Sequence, residues 1–384
     1  MTGVSISGVG MVPFRGARDE SLGEMAGDAA VAAVDDAGHE LGDVDSLHVG
    51  TALSDALGQQ AGLGNALAST LGIEGVRTDR VENTSATGAS TVHRGIEAVA
   101  SGHAETALVV GAEKMSAGET EAVTEAISRL THDREYAQGL TLPSFGALAA
   151  GAYLDRYDAP REVLARIAVK NHRNALENPV AQFQKEITVE DALESPVVAA
   201  PLRLYDCCPM TDGAAAVVLS QGEDVSQEDG GVDVLAATSA TGTHPVAARP
   251  DPLRIKSVAR AGEAAFEQAN RTPNDIDVAA IHDAFTVLEL LELEELGFYD
   301  AGTAWEAIMS GETELDGELP VNPGGGLKAR GHPLGATGIS QLVELVWQLR
   351  GDVDAARQVD SAKTAFAINV AGFGNNSVCT VLEA

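Results

Sequence analysis

Aromatic side chains are scarce in this chain, at 4% of positions, and cysteine occurs only as Cys207, Cys208 and Cys379. With so few aromatic residues, an aromatic-lined binding surface is not expected. The apolar positions are mostly Ala, Val, Leu and Ile, which suits α/β layers packed through small side chains. An odd cysteine count with two neighbours makes no disulfide framework, and no metal-ligand spacing is present. A reducing cytoplasm is the expectation. The amino terminus, MTGVSISGVGMVPF, lacks a basic segment followed by an apolar one, so no signal peptide is expected. No apolar run approaches about 18 residues, so no membrane span is expected either.

Positive charge is the other shortage. Twenty-five Lys and Arg stand against 57 Asp and Glu, a net charge of −32, and Arg clearly outnumbers Lys. Nucleic-acid binding requires the opposite sign to displace counterions, so that class is excluded. The acidic residues recur along the whole chain, as at Asp35-Asp36, Glu223 to Asp229 and Glu289 to Glu295. Such a surface keeps a protein hydrated in concentrated salt, where a Debye length of roughly 3 Å at 1 M screens its self-repulsion. The composition therefore points to a halophilic protein.

A length of 384 residues with 45% hydrophobic content supports two domains of ordinary size. Residues 1–220 and 232–384 read as two α/β halves, with Gln221 to Gly231 as an acidic, Gly-flanked linker. In the first half, strand candidates at Val4 to Val9, Ser46 to Val49 and Thr106 to Val110 alternate with helical stretches. These are Ser21 to Ala37, Ala66 to Leu71 and a segment running to Ala100. Alternation of this kind predicts a mostly parallel, covered sheet. From about Met115 to Pro201 polar and helical signals dominate, including Arg161 to Asn174, as in an insertion above the sheet. Strand character returns at Ala214 to Leu219. The second half predicts strands at Val232 to Ala236 and Ile276 to Ile281, and helices at Leu253 to Ala269, from Phe285 to Leu296, and at Ile339 to Leu349. A last strand pair flanks Gly372-Phe373-Gly374.

Four segments carry candidate chemistry. In Asn83-Thr84-Ser85-Ala86-Thr87-Gly88, Ser85 lies at a strand-to-helix junction, beside unpaired N–H groups and the positive end of the helix dipole. Taken alone, a serine there is a helix cap. Gly331-His332-Pro333-Leu334-Gly335-Ala336-Thr337-Gly338 holds a histidine in a glycine-rich turn, where backbone can crowd a ligand. Taken alone, His332 is a turn residue. His282-Asp283-Ala284-Phe285 ends a predicted strand, the edge of an open sheet where ligands gather, although Asp283 also suits a helix cap. Asn369-Val370-Ala371-Gly372-Phe373-Gly374 is a tight turn able to present backbone N–H groups.

Together and in this order, the four segments resemble the thiolase superfamily, and within it the archaeal and sterol-carrier-type enzymes. Asp206-Cys207-Cys208-Pro209, Asp212-Gly213-Ala214-Ala215-Ala216 and Asn322-Pro323-Gly324-Gly325-Gly326 support the match, which spans nearly the whole chain. The resemblance implies a five-layered αβαβα fold with the insertion covering the active site. By position, Ser85 stands where the family carries its acyl-accepting cysteine. His332 matches the histidine that activates the nucleophile and helps hold the enolate oxygen. His282 falls where many relatives have Asn, and Asn369 where many keep a second cysteine as base. The N–H groups of Ser85 and Ala371 would form the oxyanion hole. Cys207 and Cys208 rival Ser85 as nucleophile, but match a structural stretch and are expected to be buried. His132 and His172, in the insertion, are expected to pack or face solvent.

The implied activity is that of a β-ketothiolase, an acetyl-CoA C-acyltransferase forming or cleaving short 3-ketoacyl-CoA through acyl-Ser85. A serine hydroxyl is a far weaker acid than a thiol, so His332 or His282 must act as its base. No metal or organic cofactor is implied, because CoA thioesters enter as substrates. The resemblance also implies a homo-oligomer and a small zinc-ribbon and OB-fold partner protein. Two alternatives share these residues: a non-catalytic scaffold or lipid-carrier subunit, and a synthase making another product by the same condensation.

Overall fold

A computed structural model describes residues 2–222 and 230–384. The acidic stretch Glu223 to Asp229, and with it most of the expected linker, lies outside the described residues. The chain begins with β1 (Val4–Met11), α1 (Leu22–Asp36), β2 (Ser46–Gly50), α2 (Leu63–Leu71), β3 (Arg77–Val81), α3 (Thr87–Ala100) and β4 (Thr106–Lys114). A helical stretch follows, with α4 (Thr120–Ser128), α5 (Asp133–Tyr136), α6 (Leu142–Tyr157), α7 (Glu162–Asn174) and α8 (Val189–Glu194). A small hairpin of β5 (Val197–Ala199) and β6 (Leu202–Arg203) leads into β7 (Asp212–Gln221). The remainder is β8 (Val232–Thr241), α9 (Lys256–Ala269), β9 (Val278–Ala280), α10 (Thr286–Glu295), α11 (Ala304–Ser310), α12 (Leu334–Arg350), β10 (Thr364–Ala371) and β11 (Asn376–Glu383).

Local chemistry explains several boundaries. Ser21 caps α1 through a capping box with Glu24, satisfying two of the donors that a helix start leaves unpaired. Gly72 and Gly351 close α2 and α12 in the left-handed conformation that ends many helices. Small residues set the layer spacing. A Cβ on Gly8 or Gly10 of β1 would lie 2.2 Å from the Ala33 carbonyl or 2.5 Å from that of Ala29. Helix α1 therefore sits directly on the strand, and its buried face is largely alanine.

Nine strands form one sheet in the order β3-β2-β4-β7-β1-β8-β11-β10-β9. The expectation of a mostly parallel sheet is corrected here. Pairs β2–β3, β2–β4 and β9–β10 are parallel, whereas β4–β7, β1–β7, β1–β8, β8–β11 and β10–β11 are antiparallel. The four-residue turn between β10 and β11 permits only an antiparallel pair, since a parallel one needs a long crossover.

The five expected layers are present. Helix α1 packs outside the N-terminal strands and α9 outside the C-terminal ones. Between them, α3 and α12 lie in contact with each other and with strands of both groups. This buries α12 almost all round: of its 17 residues only Trp347, Leu349 and Arg350 are not buried. Some of the polar groups this leaves inside are paired: Gln341 Nε2 donates to the carbonyls of Ile368 and Ala280.

Candidate active site

Three segment ends converge where α3 and α12 begin. Glycine makes this possible: a Cβ on Gly88 would lie 2.7 Å from the backbone nitrogen of Gly338, and one on Gly338 2.4 Å from Asn369 Oδ1. The two helix starts therefore approach backbone to backbone, with the Asn369 side chain wedged beside them. A cavity of about 280 Å³ opens over this junction, and its lining includes Ser85, His282, His332 and Gly372.

Ser85 is 3% exposed and sits in a single 3₁₀ turn, Thr84–Ala86, just ahead of α3. Thr84 before it has φ +46°, a left-handed conformation that a β-branched residue adopts only under constraint. The constraint is visible. The Thr84 N–H donates to Glu82 Oε1 at 2.6 Å, and the Thr87 hydroxyl donates to the Thr84 carbonyl at 2.7 Å. Strain of this kind gathers at functional sites. Among the described residues, the Ser85 hydroxyl makes no hydrogen bond with either imidazole.

The two histidines face each other edge to face, with ring centroids 5.1 Å apart. Their Nδ1 partners differ. Asn369 accepts from the Ala89 N–H through Oδ1, at 3.4 Å, which turns its Nδ2 toward His282; that amide donates to His282 Nδ1 at 2.9 Å. His282 thus carries its proton on Nε2. The Thr337 hydroxyl donates to the Pro333 carbonyl at 2.9 Å, so its oxygen accepts from His332 Nδ1–H at 2.7 Å. His332 thus keeps a lone pair on Nε2. One ring offers the cavity a hydrogen-bond donor and the other a base.

Burial holds both rings neutral. His332 is pushed down to about 3, with the Arg330 charge adding to the effect, and His282 well below its ordinary value, with His332 adding to it. Backbone ties fix the rings further. The His332 N–H donates to Thr211 Oγ1 at 2.9 Å, and the His282 N–H to Glu292 Oε2 at 2.9 Å.

The other sequence expectations fall as follows. Ala371 ends β10 and packs against Ala86 and Ala89, while Gly372 reaches the cavity wall. Asp283 caps no helix: the cap position of α10 is Phe285. Asp283 instead accepts from the N–H groups of Leu327 (2.6 Å) and Lys328 (3.1 Å), clamping a π-helical turn, Gly326–Arg330, that leads to His332. Burial raises its pKa to about 6. Cys207 and Cys208 are half-buried, packing against the main core and also lining the cavity. Burial pushes both thiols up to about 12, so they stay protonated and poorly nucleophilic at neutral pH. His172 is buried, bonded to the Lys185 carbonyl and stacked on Phe183, and His132 meets His244 edge on; neither lines the cavity.

Sequence reasoning missed Glu113. This buried carboxylate at the end of β4 accepts from Thr51 Oγ1 (3.0 Å) and from the N–H groups of Ala52 (2.9 Å), Leu53 (3.0 Å) and Gly335 (3.0 Å). It ties the loop after β2 to the turn carrying His332. No local pattern announces it, because its four donors lie far off in sequence.

A buried serine after a strained threonine, two neutral histidines of opposite tautomer and the cavity above them define an acyl-transfer type of centre on a five-layered α/β fold. Comparison with known proteins agrees. Residues 4–223 match the thiolase N-terminal domain and residues 238–384 the thiolase C-terminal domain-like family. The acetyl-CoA acetyltransferase of Methanothermobacter thermautotrophicus is 40% identical over 100% of both chains. Sterol carrier protein 2 of Homo sapiens is 33% identical over 99% of this chain and 72% of its own. Among solved structures, an Ltp2-ChsH2(DUF35) aldolase superposes with a TM-score of 0.85 at 28% identity, covering 100% of this chain and 98% of that one. Human mitochondrial 3-ketoacyl-CoA thiolase shares the fold, with a TM-score of 0.75 at 18% identity over 99% of this chain and 98% of its own. The chain belongs to the thiolase family.

Proposed function

We propose that the protein is an acetyl-CoA C-acyltransferase that forms or cleaves 3-ketoacyl-CoA through an acyl-Ser85 intermediate. The observation that carries this is the pair of imidazoles with complementary Nε2 atoms beside a buried serine. His332 Nε2 takes the Ser85 proton as the hydroxyl oxygen attacks the thioester carbon, and the departing CoA thiolate recovers that proton. His332, neutral again, removes an α-proton from a second acyl-CoA. The resulting enolate oxygen is held by His282 Nε2–H, and its carbon attacks the acyl group on Ser85. The serine alkoxide then takes back the proton from His332. The N–H groups of Ser85 and of the Ala371–Gly372 turn would flank the acyl carbonyl as an oxyanion hole. A Ser85–His332 contact that is open in the free protein tightens once substrate fills the cavity.

The reaction needs no metal or organic cofactor. Relatives named acetyl-CoA acetyltransferase over the full chain length support the reading. Thiolysis of acetoacetyl-CoA, together with an acyl adduct on Ser85 by mass spectrometry, tests it. Undiminished turnover by Ser85→Ala would sink the acyl-serine step. By the same likeness, we place the protein in a homo-oligomer in the cytoplasm, with a small partner protein, a pairing that the two-component name of the Ltp2-ChsH2(DUF35) aldolase supports.

The missing Ser85–imidazole contact and that neighbour's name favour a second reading, an aldol-type cleavage. His332 would remove the hydroxyl proton of a 3-hydroxyacyl-CoA. The carbon–carbon bond then breaks to give a carbonyl product, and His282 Nε2–H holds the thioester enolate until it is protonated. Ser85 would only donate a hydrogen bond. Cleavage of such a substrate by Ser85→Ala, without an acyl adduct, separates the two.

A further inference from the structure

Lys328 belongs to the π-helical turn that leads to His332, and it is 4% exposed. Among the described residues its ammonium joins no ion pair: Asp206 is engaged with Arg161, and Asp283 with backbone N–H groups. A buried cation is costly unless its donors find partners. Here Nζ donates to the Cys207 carbonyl at 2.7 Å. The rings of Phe183 and Tyr205 have their centroids 5.8 Å and 5.5 Å from Nζ, within cation–π range. His172 stacks on Phe183 and meets Tyr205 edge on, so it braces both rings. Two rings and one carbonyl thus form a fitted seat for an ammonium.

The seat joins three segments around the catalytic cavity. Cys207 and Cys208 line its wall, and His282, Ala284 and His332 line it too. The Cys208 N–H donates to the Ala284 carbonyl at 2.9 Å, and the Ala284 N–H to the His282 carbonyl at 2.9 Å. The Lys328 N–H donates to Asp283 at 3.1 Å. Backbone donors thus link the cysteine wall to the segment after β9, and that segment to the π-helical turn. The Lys328 side chain links turn to wall and closes the triangle. An apolar side chain of the same size would fill the space but remove the donor that the Cys207 carbonyl meets.

We propose that Lys328 is a positioning residue, whose ammonium holds the Cys207–Cys208 wall against the turn carrying His332 and so seats the thioester for His332 Nε2. The proposal rests on the thioester reading of the site, and it covers acyl transfer and aldol-type cleavage alike. Its test is chemical rescue in the full chain. Lys328→Ala removes the side chain beyond Cβ, and the n-propylammonium ion is the missing piece. The kcat for acetoacetyl-CoA thiolysis, or for 3-hydroxyacyl-CoA cleavage, should fall about 10²-fold, the cost of a misplacement of about 1 Å, while KM moves little. Added propylammonium should restore most of that loss, and n-propanol, similar in size but uncharged, should restore none. Lys328→Met, which fills the space without a donor, should be as slow as Lys328→Ala.

A folded Lys328→Met variant with wild-type kcat overturns the proposal, as does equal rescue of Lys328→Ala by n-propanol, which would make the role one of volume alone. A folded Lys328→Ala variant that propylammonium leaves unchanged overturns it too. Thermal melts report folding, and should neither variant fold, the wild-type protein decides. Nitrogen-15 spectra after selective lysine labelling should then show an ammonium in slow exchange with water, with cross-peaks to the Tyr205 and Phe183 rings. An ammonium without those cross-peaks overturns the proposal. Absence of any turnover of CoA thioesters by the wild-type protein would sink the thioester reading and the positioning role with it. The ammonium signal separates that failure from an empty seat.

Discussion

His282 and Asn369 are joined by a 2.9 Å hydrogen bond in which the amide Nδ2 donates to imidazole Nδ1, and this one contact decides what His282 can do. Replacing Asn369 by Asp keeps the shape but presents an acceptor. His282 would then place its proton on Nδ1 and lose the Nε2–H donor. The expected result is a fall of about 10²–10³ in kcat, the cost of one oxyanion donor. Nitrogen-15 spectra of the imidazole should report the tautomer change directly.

Ser85 carries a hydroxyl, a far weaker acid than a thiol. Ser85→Cys should acylate faster in a single-turnover measurement, because a thiol with a reference pKa of about 8.5 ionises far more easily than a hydroxyl. A slower acylation by the cysteine variant would argue that Ser85 acts as a hydrogen-bond donor and not as the nucleophile.

The pH profile follows from the two neutral imidazoles. His332 must be unprotonated to act, and its folded value is pushed down to about 3. Its active form therefore persists as the pH falls through the ordinary imidazole value of about 6.5, and is lost only well below it. The rate kcat/KM should be flat on the acid side through that point. An acid limb centred near 6.5 would show that His332 is solvated, contrary to its burial.

Glu113→Gln puts an amide donor against backbone N–H groups that now meet a carboxylate. One pair of donors is left facing a donor, at a cost of about 1–3 kcal/mol. The melting temperature should drop. Because the Gly335 tie is among those weakened, kcat should fall while KM moves little.

The net charge of −32 gives a last prediction. Raising KCl from about 0.1 M to about 1 M shortens the Debye length from about 10 Å to about 3 Å. The melting temperature should rise across that range. A protein that melts lower in concentrated KCl would not be the halophile its composition suggests.

Much of the fold was legible because the signals were local. The β-branched run at Val4 is β1, the helical stretch from Ser21 to Ala37 is α1, and the stretch from Arg161 to Asn174 is α7 with one residue to spare. The glycine-rich Gly331 to Gly338 segment announced a crowded backbone, and the structure shows it meeting Gly88. Strand direction was not legible, since antiparallel entry of β7 beside β4 depends on the long helical stretch between them. The site was legible as a set of segments but not as chemistry. Which nitrogen of His282 carries a proton depends on Asn369, 87 positions away. The role of Asp283 depends on a π-helical turn more than 40 positions downstream.

Strands β1 and β8 meet over only two residue pairs, Ser5 with Asp233 and Ile6 with Val232. So short a seam would hold little by itself. The inner pair of helices, α3 and α12, makes the difference, because each is clad by strands from both sides of that seam. Pulling the N-terminal strands from the C-terminal ones would strip the buried helix α12 to water and dismantle the catalytic floor in the same motion. The molecule should therefore lose its shape and its chemistry at one temperature, as a single cooperative event, and neither portion alone should persist as a folded fragment.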